Sequence, residues 1–196
     1  EFTDDDEPNG TIFSKTDLII NGKGKMIVNS NYEDGIVSKD DLKINSGTYI
    51  INSTDDGIRG TDSVYIKDGD YTINSEGDGI KSTKSDNSNK GYVYIENGTF
   101  NITSSLDGIS AVTKLNILNG EFTIVTGAGS GNASTDVNWG MWNSKNTSNE
   151  ASAKGIKSNS IISITNCLLK FFNHNEKEKF CKINPDFKKK VNTKEF

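Results

Sequence analysis

Apolar and polar positions alternate along this chain in short runs, and the runs recur. A Gly-Ile pair stands at Gly35-Ile36, Gly57-Ile58, Gly79-Ile80, Gly108-Ile109 and Gly155-Ile156. An apolar-x-apolar run follows at a fixed offset in four cases, at Leu42/Ile44, Val64/Ile66, Leu115/Ile117 and Ile162/Ile164. The run Val93/Ile95 arrives late, which measures an insertion at about 83–90. A second glycine comes next, at Gly47, Gly69, Gly98 and Gly120. An aromatic-x-aliphatic run closes each unit: Tyr49/Ile51, Tyr71/Ile73, Phe100/Ile102 and Phe122/Ile124. Alternation at period two puts the apolar members of each run on one strand face. The unit is therefore a coil of three short strands, about 22 residues long, with glycine-bearing breaks between them.

One such coil cannot bury its apolar face alone. Stacked about 4.8 Å apart, coils place like residues over like and build a continuous core. The pattern predicts an all-β right-handed parallel β-helix, a solenoid with Ile12, Ile36, Ile58, Ile80, Ile109 and Ile156 in one internal column. A propeller blade needs four strands in roughly 40 residues, and a leucine-rich repeat needs a leucine and asparagine pattern absent here. The β-helical domain is read over 1–166, with a second insertion at about 127–153. From 167 the repeat decays: Cys167 stands where glycine is due, although Leu169 and Phe171 keep the alternation. Residues 167–196 carry eight lysines against four acidic residues, and read as a cap or as a truncated end of a longer array.

Composition narrows the function classes. Only 32% of residues are hydrophobic, with 19 glycines and 2 prolines, which fits either disorder or a thin core with many turns. The apolar residues are mostly Ile, Val, Tyr and Phe, strand formers, so disorder loses. A net charge of −5 argues against nucleic acid. No run of 18 apolar residues occurs, so no helical membrane span is expected. Six Asn-x-Ser/Thr sequons, at Asn9, Asn52, Asn97, Asn101, Asn132 and Asn146, lean toward an extracellular or cell-surface place. A monomer, or a module of a larger protein, is expected.

The sharpest chemical feature precedes the Gly-Ile pairs. Asp34, Asp56, Asp78 and Asp107 hold the same place in four consecutive coils, with Glu33 and Asp55 one residue earlier. Stacking brings the equivalent carboxylates within about 5 Å, where like charges repel by about 1 kcal/mol in water and about 3–4 at an effective dielectric near 20. Such a column needs protonation, splaying or cations. Calcium, an oxygen-seeking ion tolerant of irregular geometry, is the expected cofactor, with Asp34, Asp55, Asp56, Asp78 and Asp107 as candidate ligands. Plain Asp-Gly turn chemistry is the competing explanation. In the fifth coil Lys154 takes the aspartate's place, a built-in cation. Trp139 and Trp142, on the second insertion, are candidate sugar-stacking residues, unless they tuck onto the helix flank. Tyr65, Tyr92 and Tyr94 fall at outward or flanking positions and could add to a groove.

An enzyme is the other class to weigh. Arg59 and Lys81 each follow an aspartate by three residues, and with calcium neutralising a uronate either could abstract the proton in a polysaccharide lyase. More commonly such pairs are charge balance. His174 is the lone histidine and lies in the tail, so no Ser/His/Asp set can be assembled.

The register Gly47-Thr-Tyr-Ile-Ile-Asn-Ser-Thr-Asp-Asp-Gly-Ile58, repeated from Gly69 to Ile80 and Gly98 to Ile109, with Ser152-Ala-Lys-Gly-Ile-Lys157 closing, resembles a known family. It is the clostridial carbohydrate-binding domain family of right-handed β-helix proteins, of cellulose- and polygalacturonate-binding type and similar to pectate lyases. The resemblance covers roughly residues 8–166. It implies calcium held by aspartates between coils and affinity for cellulose or acidic sugars without established cleavage. Only Asp34, Asp55, Asp56, Asp78 and Asp107 match its acidic motif. The expectation is non-catalytic binding of plant cell-wall polysaccharide; a calcium-dependent lyase and a structural, adhesive surface segment are the alternatives.

Overall fold

The computed structural model describes residues 8–127, 153–173 and 179–181. Six coils stack into a right-handed parallel β-helix with three sheets, as the period predicts. Sheet A takes the first strand of each coil: β1 (Gly10–Ser14), β4 (Asp34–Ser38), β7 (Ile58–Gly60), β10 (Ile80–Ser82), β13 (Ile109–Ala111) and β16 (Ile156–Ser158). Sheet B takes the second: β2 (Leu18–Ile20), β5 (Asp41–Ile44), β8 (Ser63–Ile66), β11 (Tyr92–Ile95), β14 (Lys114–Ile117) and β17 (Ile161–Ile164). Sheet C takes the third: β3 (Lys25–Ser30), β6 (Thr48–Ser53), β9 (Asp70–Ser75), β12 (Thr99–Ser104), β15 (Gly120–Thr126) and β18 (Cys167–Asn173). Every pairing between coils is parallel; a short β19 (Lys179–Cys181) adds to β18 antiparallel.

The isoleucine column is in the expected register, from Ile12 through Ile36, Ile58, Ile80 and Ile109 to Ile156. Its four central members are fully buried and the two end members half-buried, because each end coil has a neighbour on one side only. The aromatic positions of sheet C stack inside as Tyr49, Tyr71, Phe100 and Phe122, with centroids 4.6–4.9 Å apart and planes within 6° of parallel. That spacing is the coil spacing itself. Gly98 precedes the aromatic strand at φ +139, a conformation that L side chains rarely adopt, and this lets the chain turn the corner from sheet B to sheet C.

One boundary sits differently from the sequence reading. β18 lies beyond residue 166, in the segment taken as tail, and pairs in register with β15, Leu169 beside Phe122 and Phe171 beside Ile124. The alternation persists there after the glycine signal has gone, so Cys167 occupies a strand start where Gly120 stands one coil earlier. The first insertion is pinned down: the Lys90 ammonium pairs with buried Asp62, and Gly91 N–H donates to Asp62 O at 2.6 Å. Trp139 and Trp142 on the second insertion, and His174, lie outside the described residues. Among the described residues, no helix is long and apolar enough to cross a membrane.

Candidate functional site

The aspartates of the Asp-Gly-Ile motif line up at the entrance to sheet A, and each does two things. One carboxylate oxygen accepts the backbone N–H of the next coil's equivalent residue. Asp34 Oδ1 takes Asp56 N–H at 2.9 Å, Asp56 takes Asp78 at 2.8 Å, Asp78 takes Asp107 at 2.7 Å and Asp107 takes Lys154 at 2.8 Å. For Asp34, Asp56 and Asp107 the other oxygen faces a side-chain cation three residues past the next coil's motif position; for Asp78 it faces Lys81 of its own coil. Arg59 lies on Asp34, with Nη2 at 2.6 Å and Nε donating at 2.7 Å. Lys81 Nζ is 3.1 Å from both Asp56 and Asp78, and Lys157 Nζ is 2.9 Å from Asp107. The four aspartates are 1–5% exposed, so these bonds are made largely away from water.

Burial governs their protonation. It pushes Asp34 up to about 6, against the pull of the Arg59 guanidinium and with further lift from Asp56. Asp56 and Asp78 are raised by the same cause, with Lys81 opposing. For Lys81, burial disfavours the charge, but Asp56 and Asp78 outweigh it and the ammonium ends above the ordinary lysine range. Lys81 is thus held protonated.

The cation column on the outer face of sheet A runs Arg59, Lys81, Ser110, Lys157 in strict register, with Val37 in the coil before it. Ser110 is the odd member: its side chain is too short to reach Asp78 as Lys81 reaches Asp56. The missing side chain leaves a groove of about 520 Å³ over β13. Lys81 and Lys157 bound it along the helix axis, Asp78 and Asp107 on one flank, Val112 and Asn159 on the other. Its wall includes Ser82, 1% exposed, whose Oγ has no hydrogen-bond partner. Lys154, Lys81 and Lys157 against Asp78 and Asp107 give the lining a surplus of one positive charge.

The sequence-derived residues therefore fall into two sets. Asp34, Asp56, Asp78, Asp107, Arg59 and Lys81 form one continuous ladder. Asp55 is exposed beside it, and Asp34, Asp55 and Asp56 bring one carboxylate oxygen each within 4.8 Å of one another. As a cradle for a divalent cation this trio fits poorly, because the Arg59 guanidinium already lies on Asp34 and Lys81 on Asp56. Tyr65 and Tyr94 stack on the outer face of sheet B, centroids 5.3 Å apart, away from the groove. The Tyr65 hydroxyl donates to Glu96, which pushes Tyr65 up to about 12. Lys157 and Ser110 carry the groove, yet neither stood out in the sequence. The signal was there: both sit at the offset that Arg59 and Lys81 mark.

A family model described as carbohydrate-binding domain-containing protein matches residues 1–176. The chain belongs to that family. A carbohydrate-binding domain-containing protein of Acetivibrio thermocellus is 40% identical over 55 residues, which is 27% of this chain and 19% of that protein. Among solved structures, the polysaccharide lyase-like protein from C. thermocellum, as a gadolinium derivative, superposes with a TM-score of 0.68 at 29% identity. That match covers 84% of this chain and 57% of the neighbour, so the carbohydrate-binding domain described here spans about half of one relative and a fifth of the other.

Proposed function

We propose that this carbohydrate-binding domain holds a uronate-bearing plant cell-wall polysaccharide, of pectate type, in the groove over Ser110 and does not cleave it. The observation that carries the reading is the gap in the cation column: Lys81 and Lys157 both line an open groove, one coil to either side of Ser110. A sugar carboxylate between Lys81 and Lys157 makes charge-assisted contacts, while its ring hydroxyls donate to Asp78 and Asp107. On a chain of net charge −5, this locally positive lining is where an acidic polymer is tolerated. Neutral cellulose, the other polymer expected from the sequence, has no charge for the lysines to meet.

The ladder also supports binding over cleavage. β-Elimination needs a base to take a ring proton. Lys81 is kept protonated by two carboxylates and Arg59 is committed to Asp34. Polymers of this kind lie outside cells, which is the location proposed for the protein.

Ser110→Lys is the test, because it fills the groove with the cation the column otherwise carries. Wild type is expected to be retained on polygalacturonate in affinity electrophoresis, more weakly as salt rises, with no unsaturated product absorbing in the ultraviolet. The variant is expected to keep the wild-type melting point and to bind about tenfold more weakly, the equivalent of about 1.4 kcal/mol. Undiminished retention by a folded Ser110→Lys protein would move the site elsewhere, and product release by wild type would make the protein a lyase.

A further inference from the structure

We propose that Arg59, Lys81 and Lys157 are the resident cations of the aspartate ladder, standing where the resemblance implies calcium, so that the fold is calcium-independent. The charges argue for it. Asp34, Asp56, Asp78 and Asp107 bring four negative charges into one buried column, where equivalent carboxylates repel. Arg59, Lys81 and Lys157 return three positive charges to the same column, each within 3.1 Å of a carboxylate oxygen.

Geometry argues for it as well. A calcium ion collects six to eight oxygen ligands at 2.3–2.6 Å. Here one oxygen of every ladder aspartate is turned toward the next coil's backbone N–H, and the other toward an ammonium or guanidinium. A metal at the Asp34, Asp55 and Asp56 trio must displace Arg59 from Asp34 and meet its charge at close range. The register explains how the cations come to be there. A residue three past the motif projects outward from sheet A, and where it is a lysine or arginine, at Arg59, Lys81 and Lys157, its side chain reaches back one coil to the ladder. Gly77 belongs to the same arrangement: a Cβ there meets the carboxylate oxygen of Asp56 at 2.7 Å, so this position stays open for the acidic groups of the coil below.

The experiment follows the melting point of the full chain in excess chelator and in millimolar calcium, for wild type, Lys81→Met and Lys81→Arg. Wild type is expected to melt at the same temperature in both solutions. Lys81→Met, which keeps length and loses charge, is expected to fall by about 5 °C in chelator, and Lys81→Arg by about a third of that or less. Calcium recovering part of the Met variant's loss identifies the ammonium position as the place a metal takes in its absence. A calcium-dependent rise in wild type overturns the proposal. So does a Met variant that melts with wild type, which makes the ammonium dispensable. An Arg variant that falls as far as the Met variant makes shape rather than charge the cause, and overturns it too. None of these readouts involves a sugar, so the result is independent of whether the groove binds pectate.

Discussion

Gly57 shows how little room one residue has in this stack. A Cβ built on it lies 2.5 Å from Ile73 Cγ2 and 2.6 Å from the carbonyl oxygen of Gly79, and the backbone atom cannot rotate away. Gly57→Ala is expected to cost about 2–3 kcal/mol, the scale of core overpacking, read as a fall in the denaturation midpoint with an unchanged slope. A second residue-scale effect comes from Asp34, whose carboxyl is raised to about 6 from 3.8, chiefly by burial. Between those values the native protein holds a proton that the unfolded chain has lost, so this group adds stability as pH falls and withdraws it as pH rises through about 6. The swing is on the order of 2–3 kcal/mol. Relative to Asp34→Asn, wild type is expected to gain stability as pH falls from 7 to 4; a relative loss over that range would reverse the sign of the burial effect.

At the scale of the element, sheet C is held by its rings. Tyr49 and Tyr71 each donate a hydroxyl to the carbonyl three residues back, Ser46 O at 2.8 Å and Asp68 O at 3.1 Å. Phe100 stacks on Tyr71 at 4.6 Å in the next coil, with Asn97 at the same offset. Phe100→Tyr is therefore expected to leave stability within about 0.5 kcal/mol of wild type, the new hydroxyl finding Asn97 O. Phe100→Ala is expected to cost about 3–5 kcal/mol. Urea melts of the two variants separate a hydrogen-bonded ring position from a purely apolar one. The strands themselves were legible in the sequence, because period two and the spaced glycines follow directly from strands that must face inward and then turn. The partner of Asp34 was less legible. The sequence shows carboxylates repeating at one position and hence repulsion, but which cation relieves it depends on how far Arg59 and Lys81 reach back along the axis, a distance set by coil stacking. Ser110 was missed for the same reason: a serine reads as featureless until its register neighbours are known to be Lys81 and Lys157.

The described residues form a column in which the strands of each coil pair only with those of the coils above and below, apart from β19 on β18. Its two ends differ from its middle. Inward-facing Ile162 in the last coil is 46% exposed, while its register partner Leu115 is closed, and Ile12 and Ile156 are half-buried where the central members of their column are closed. Stability in such a stack is approximately a sum of coil terms and nearest-neighbour terms. Exchange of backbone amide protons is accordingly expected to be slowest in β7 to β13 and to quicken toward both ends; uniform protection along the stack would show a single cooperative unit instead.

Strict register between coils makes the molecule indifferent to its own length. Removing residues 57–78 joins Asp56 to Gly79 and deletes one full turn of the helix. Ile80 then falls over Ile36, Phe100 over Tyr49, and Lys81 faces Asp34 as Arg59 does now. Even the pinned insertion finds a substitute, since Asp40 lies one coil before Asp62 and can receive Lys90. The shortened chain is expected to fold, with Asp56 in the place of Asp78 beside the groove over Ser110 and one fewer carboxylate in the column. A protein built this way can gain or lose turns by duplication and deletion while its binding surface stays unchanged, which separates the evolution of its reach from the evolution of its specificity.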